Sequence, residues 1–194
     1  MASEGPNIAG SGADNSASGI RTWSNPTRVN ADDGSRTSAP WSGNGGTTDS
    51  HLLQSSSHGH AIPDGATIDG VEVQQDIDGS GQGTTQQAIQ LCIGGTPTGN
   101  DLDDDATWST TAQTVTYGAS DELWGLTPTA AEINASGFGF VTQERTANFS
   151  QAVGVDAMWT TVYYTEGGGG GPALEGIERH YPRGADRGIL RGVA

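Results

Sequence analysis

Three histidines, a run of spaced aspartates and one cysteine are the residues here whose types and spacing suit chemistry. His58-Gly-His60, with His51 shortly before it, spaces two imidazoles as ligands on one side of an extended segment. A structural metal needs four donors, and neither Cys nor carboxylate stands at ligand spacing from this pair. The segment therefore reads as a polar strand running into Ile62-Pro63. Asp76-Ile-Asp78-Gly-Ser80-Gly81 places oxygen side chains at the first, third and fifth positions of a calcium loop, with Gly at the sixth. The twelfth position is Gln87, where a bidentate Glu is required, so the match fails at its strongest ligand. Asp76, Asp78 and Ser80 keep calcium open as a cofactor, but the preferred reading is a hairpin loop leading into Thr85–Ile93. Asp103-Asp-Asp105 reads as a solvated loop. Cys92 stands alone, so the chain holds no internal disulfide, and its apolar surroundings mark it as packing rather than a nucleophile. No Ser-His-Asp order and no phosphate loop appears, and the expectation is a protein without catalytic residues.

The elements that position these residues are short strands. In Ala61-Ile-Pro-Asp-Gly-Ala-Thr-Ile-Asp-Gly-Val-Glu-Val-Gln74, Val71 and Val73 alternate with Glu72 and Gln74, the period of a half-buried strand. Ile68 has the wrong parity for that face unless Asp69-Gly70 holds a bulge. Around this central strand, Thr27–Asn30 reads as a first strand and Ala31–Gly34 as a turn. Ile89, Leu91 and Ile93 share a face of another strand, and Thr110–Tyr117 forms a further one. Trp124, in the turn Gly118–Gly125, should plug one end of the core. Thr129 and Glu132 fit a capping box at the start of one short helix, which Ala135-Ser-Gly137 ends. Along Val153–Thr165, Met158, Val162 and Tyr164 share one face, and Trp159, Thr161 and Tyr163 the other. Only one face can meet the core of a two-sheet sandwich. The other leaves aromatics uncovered unless a second subunit meets them, which marks Trp159 and Tyr163 as an oligomer interface.

Composition limits where a core can form. Leu, Ile, Val and Phe number thirty among 194 residues, and twenty of them fall between residues 61 and 165. That is below the roughly 20% level at which high charge begins to suggest disorder, so only the middle of the chain reads as globular. Eight Arg, no Lys and 23 acidic residues give a formal charge of −15. Such a charge excludes nucleic acid and anionic membranes as partners for the body of the protein. It suits molar salt, where screening shortens to a few ångströms. No apolar stretch approaches the ~18 residues of a membrane helix. The start of the chain lacks the basic and apolar regions of a signal peptide.

The ends read differently from the middle. Residues 1–19 are Gly, Ser, Ala and Asn with little to bury, and are expected to form a flexible or docked arm. Residues 167–172 form a Gly-rich tether. Residues 173–194 carry Arg183-Gly184, Arg187-Gly188 and Arg191-Gly192 at a four-residue repeat. In a helix, this repeat aligns three Arg along one stripe and three Gly along the next. The segment reads as a docking peptide whose Arg residues meet acidic surfaces of a partner. Asn134 and Asn148 each stand in an N-x-S sequon, a match too short to carry weight.

Several pieces form an ordered set: Trp23-Ser-Asn-Pro26, Ile62–Val73, Tyr117-Gly118, Leu123-Trp-Gly125, Ile133-Asn134, Phe138-Gly-Phe140 and Val155-Asp156 running to Val162–Thr165. Together they resemble a β-sandwich module found in virion proteins of tailed phages and tailed archaeal viruses, over residues 20–166. The resemblance implies a structural or adhesive part of a head or tail, located in the virion, with no catalytic residues to transfer. It leads us to expect an all-β chain, an antiparallel β-sandwich of jelly-roll type, with an N-terminal arm (1–19) and a tethered docking segment. The expected partners are other virion proteins and further copies of the chain, most plausibly in a trimer. A rival function is a carbohydrate-binding module for a host surface glycan, in which Trp41, Trp108 or Trp124 stacks on sugar rings.

Overall fold

A computed structural model describes residues 1–40, 47–78, 83–146 and 153–167. In chain order its strands are β1 (Ala2–Ile8), β2 (Ser11–Asn15), β3 (Thr37–Ala39), β4 (Thr48–Asp49), β5 (Leu52–Ser56) and β6 (Thr67–Asp78). They continue with β7 (Thr84–Ile93), β8 (Thr96–Thr98), β9 (Gln113–Gly118), β10 (Gly139–Thr146) and β11 (Val153–Thr165). One sheet has the order β1-β11-β6-β9, with β3 on the early part of β11. The other has the order β2-β5-β10-β7-β8, with β4 on β10. Every pairing between these strands is antiparallel, and the two sheets pack face to face as a β-sandwich.

The alternation read in the sequence sets which side chains face inward. Along β6, Ile68, Val71, Val73 and Ile77 are buried, while Glu72, Gln74 and Asp76 lie on the outer face. The parity change at Ile68 is made by the bulge expected there. Tyr163 pairs with Gly70 and Tyr164 with Ile68, so Asp69 is left without an opposite residue. On β11, Met158 and Val162 enter the core, with Tyr164 packed beside them. Trp124 fills one end of the core at full burial and donates from its indole Nε1 to Val71 O at 2.9 Å. Helix α1 (Ala130–Asn134) starts at the capping box of Thr129 and Glu132. Its Asn134 amide then bonds both the N–H and the carbonyl of Ile62, at 2.8 Å each, and so fixes the approach to β6.

Three expectations change. Thr27–Asn30 is not a strand: Pro26–Val29 is a 3-10 turn, with Pro near its start where its missing N–H is no loss. The link from β6 to β7 is not a hairpin, because the two strands belong to opposite sheets. Each has an apolar face, and placing them in facing sheets buries both against one another, which a hairpin could not do. Of the two alternatives expected for the first nineteen residues, the flexible arm gives way to the docked one. β1 pairs with β11, the chain crosses between sheets at buried Ala9, and β2 pairs with β5. The small residues that resembled disorder instead permit close backbone approach. A Cβ on Gly12 would sit 2.1 Å from Pro26 O, and one on Gly5 would sit 2.6 Å from Thr160 O.

If β1 is an integral strand, deleting residues 1–9 strips the edge of β11 from Trp159 to Tyr164. The deletion variant should melt at least several degrees lower than the full chain by circular dichroism. An unchanged melting temperature would restore the free-arm reading.

Candidate functional site

His58 and His60 lie in the loop between β5 and β6, beneath β1. Their rings are 6.4 Å apart, and the Phe138 ring packs edge-on to both, at 6.3 and 5.7 Å. His58 Nδ1 donates to Asn7 O at 2.9 Å, and its Nε2 lies 3.1 Å from Ser55 Oγ. Asn7 Nδ2 donates to His60 Nδ1 at 3.2 Å, so His60 Nε2 carries the proton and meets Thr160 Oγ1 at 2.7 Å. All four ring nitrogens are therefore engaged with the protein. His51 lies apart from this pair, with Nδ1 2.8 Å from Asp14 Oδ2. The three histidines do not converge, and the pair ties β1 to β5 and β11. Burial pushes both pKa values down, from 6.5 to about 4.

A second cluster joins residues from three separate segments. Asp32 precedes β3, Asp76 is on the outer face of β6, and Asp156 sits where β11 bulges between Val155 and Met158. One carboxylate oxygen from each lies within 4.8 Å of the others. Asp156 is 1% exposed; its Oδ2 accepts from Gly34 N at 2.8 Å, while its Oδ1 has no partner. Asp76 Oδ1 is likewise buried and unpartnered. Arg36 approaches Asp76 only to 4.0 Å and Asp78 only to 3.6 Å. Burial raises the Asp76 pKa; the Arg36 guanidinium opposes the rise, and Asp156, Asp32 and Asp78 add to it.

The described residues of the calcium-loop alternative weighed in the sequence lie in two sheets. Asp76 and Asp78 belong to β6, and Gln87 lies in the opposite sheet with its amide on Asp105. Ser80 lies outside the described residues. Asp32 and Asp156 could not be found from local spacing, because only the sheet brings them beside Asp76. The run at residues 101–105 is a loop, as expected, and its Asp101, Asp103 and Asp104 each accept from a backbone N–H two residues on.

Trp159 and Tyr163 are half-buried on the outer face of the first sheet, with Ile8 opposite Trp159 and Ser3 opposite Tyr163. Trp108 and Trp124 are buried core residues, which corrects their assignment as sugar-stacking platforms. A ring enclosed on both faces offers none to a ligand. Trp41 lies outside the described residues, as do Asn148 and the docking set Arg183, Gly184, Arg187, Gly188, Arg191 and Gly192. Cys92 is fully buried with Leu52 and Val141, and burial pushes its thiol up to about 12. A groove of about 490 Å³ runs between Asp64–Ile68 and Thr127–Ala131, and Asp64 is its only titratable lining residue.

Sequence reasoning missed a buried ion pair between Arg21 and Glu144. Arg21 also donates to Ala39 O at 2.7 Å and Thr48 O at 3.1 Å, joining β3, β4 and β10. Burial pushes the Glu144 carboxyl up to about 7 against the pull of Arg21. No local pattern marks either residue as inward-facing. Comparison with protein families, curated proteins and solved structures found no match to this chain.

Two measurements check these environments. Between pH 6.5 and about 4 the unfolded chain protonates both histidines while the folded chain does not, so stability falls as pH falls through that window. Glu144 works the other way: its contribution is full below pH 4.5 and fades as pH rises through about 7. The urea midpoint should therefore fall from pH 7 to pH 4.5, and fall more steeply in Glu144→Gln; a flat profile in both proteins would mean water reaches the imidazoles. Cys92 should react with a thiol reagent only after unfolding, and labelling of the native chain would contradict its enclosure.

Proposed function

We propose that this chain is a non-enzymatic structural protein of a tailed virus particle. It is displayed on the capsid or tail surface as a decoration, turret, fibre or baseplate component. The observation that carries this reading is the strand order. β1-β11-β6-β9 faces β5-β10-β7-β8, with β2 added at the β5 edge, which supports a jelly roll with β1 beside β11. Jelly rolls recur in viral capsid proteins, though a fold alone does not fix a function. The ordered motifs of residues 20–166 point the same way, and the acidic, Lys-free composition fits a virus of a halophilic archaeon.

Attachment falls to the C-terminal docking segment, since the N-terminal residues are taken up by both sheets. The half-buried Trp159 and Tyr163, with Ile8 beside them, are the face at which copies of the chain meet in a homo-oligomer. Jelly rolls also occur in lectins. A glycan-binding role loses Trp108 and Trp124 to the core, and none of the structural observations above favours it.

The test is a pull-down in molar salt of proteins from disassembled particles, using the full chain and a truncation after Glu166. The full chain should retain one head or tail protein and the truncation should lose it. Retention by both would move docking to the sandwich, and retention by neither would overturn the virion reading.

A further inference from the structure

We propose that Asp32, Asp76 and Asp156 bind one calcium ion, which clamps the loop before β3 onto the first sheet. This site is independent of the virion reading, and of the calcium-loop residues 76–87 it shares only Asp76. The first observation is convergence: carboxylates from a loop and two neighbouring strands bring one oxygen each within 4.8 Å. The second is the state of Asp156. It is 1% exposed, and its Oδ1 has neither a hydrogen-bond donor nor access to solvent. Its Oδ2 accepts from Gly34 N at 2.8 Å, but burial strips the hydration of Oδ1 and nothing replaces it there, which costs free energy.

Arg36 does not remove the need. Its closest approaches, 4.0 Å to Asp76 and 3.6 Å to Asp78, are longer than hydrogen bonds and leave Asp156 untouched. The donor set is all oxygen, which selects a hard cation over zinc or copper. Oxygens up to 4.8 Å apart fit around an ion whose oxygen distances are about 2.4 Å, as for calcium. Magnesium demands near-ideal octahedral geometry at about 2.1 Å and keeps most of its water, so a set of three protein carboxylates favours calcium. Three carboxylates supply about three to six of the six to eight oxygens of calcium, depending on bidentate binding, and water completes the shell.

The experiment is a thermal melt of the full chain with EDTA, calcium or magnesium at constant ionic strength, together with calorimetric titration by calcium. Calcium at a hundredfold excess over its dissociation constant should raise the melting temperature by about 5–10 °C, and bind with one-to-one stoichiometry. Asp32→Asn, at an exposed position, should lose most of that rise, as should Asp156→Asn. If Asp156→Asn fails to fold, Asp32→Asn decides alone. No calcium response in the wild-type chain would overturn the proposal. So would an undiminished response in Asp32→Asn, or an equal rise with magnesium, which would signal general screening of an acidic surface.

Discussion

A shortage of aliphatic side chains is the constraint on which this structure depends. The sandwich must fill its interior partly with polar groups, and each has to find a partner there. Gln86 shows how this is met. The two N–H groups of its Nε2 are shared among Ala88 O, Thr142 Oγ1 and Gln143 O, and its Oε1 accepts from Gln75 Nε2 and Trp108 Nε1. Gln75 belongs to the facing sheet, so this network joins the two layers with directional bonds where Leu or Ile would supply only contact. Arg21 and Glu144 do the same at the edge near β3 and β4. Removing one member of such a buried pair leaves a stranded charge, a change that typically costs about 3–5 kcal/mol.

Tryptophan supplies much of the remaining apolar volume. Trp23, Trp108 and Trp124 are all buried, and each indole nitrogen has an acceptor within the protein. One large ring can replace two aliphatic side chains in volume, and its N–H then serves as a further tie between segments. Trp23 reaches His51 O, Trp124 reaches Val71 O and Trp108 reaches Gln86. Apolar filling and polar satisfaction are thus carried by the same residues. Low aliphatic content alone was therefore a poor guide to how much of the chain folds.

What could be read from the sequence was what depends on neighbouring residues. The bulge at Asp69 followed from the parity of Ile68, the capping box from Thr129 and Glu132, and the inward face of β11 from Met158 and Val162. The conserved logic of a turn placed Trp124 correctly because a large aromatic in a short loop has few places to go. What failed depended on distant partners. Gly5 and Gly12 resemble flexible residues until the Thr160 and Pro26 carbonyls that press on them are known. Asp32, Asp76 and Asp156 belong to three unrelated local patterns. The separation of β6 and β7 into different sheets reflects the second layer, which is invisible along the strand itself.

The pairing of Ala2 with Tyr164 sets an order of events during synthesis. β11 is the inner neighbour of both β1 and β6, so the first sheet cannot close until β11 has left the ribosome. Until then β1 has no edge to join, and β6 presents an open one. Pairings this remote in sequence make for slow closure, because the loop entropy is lost before the contacts form. The nascent chain thus passes through a long interval as an incomplete sandwich.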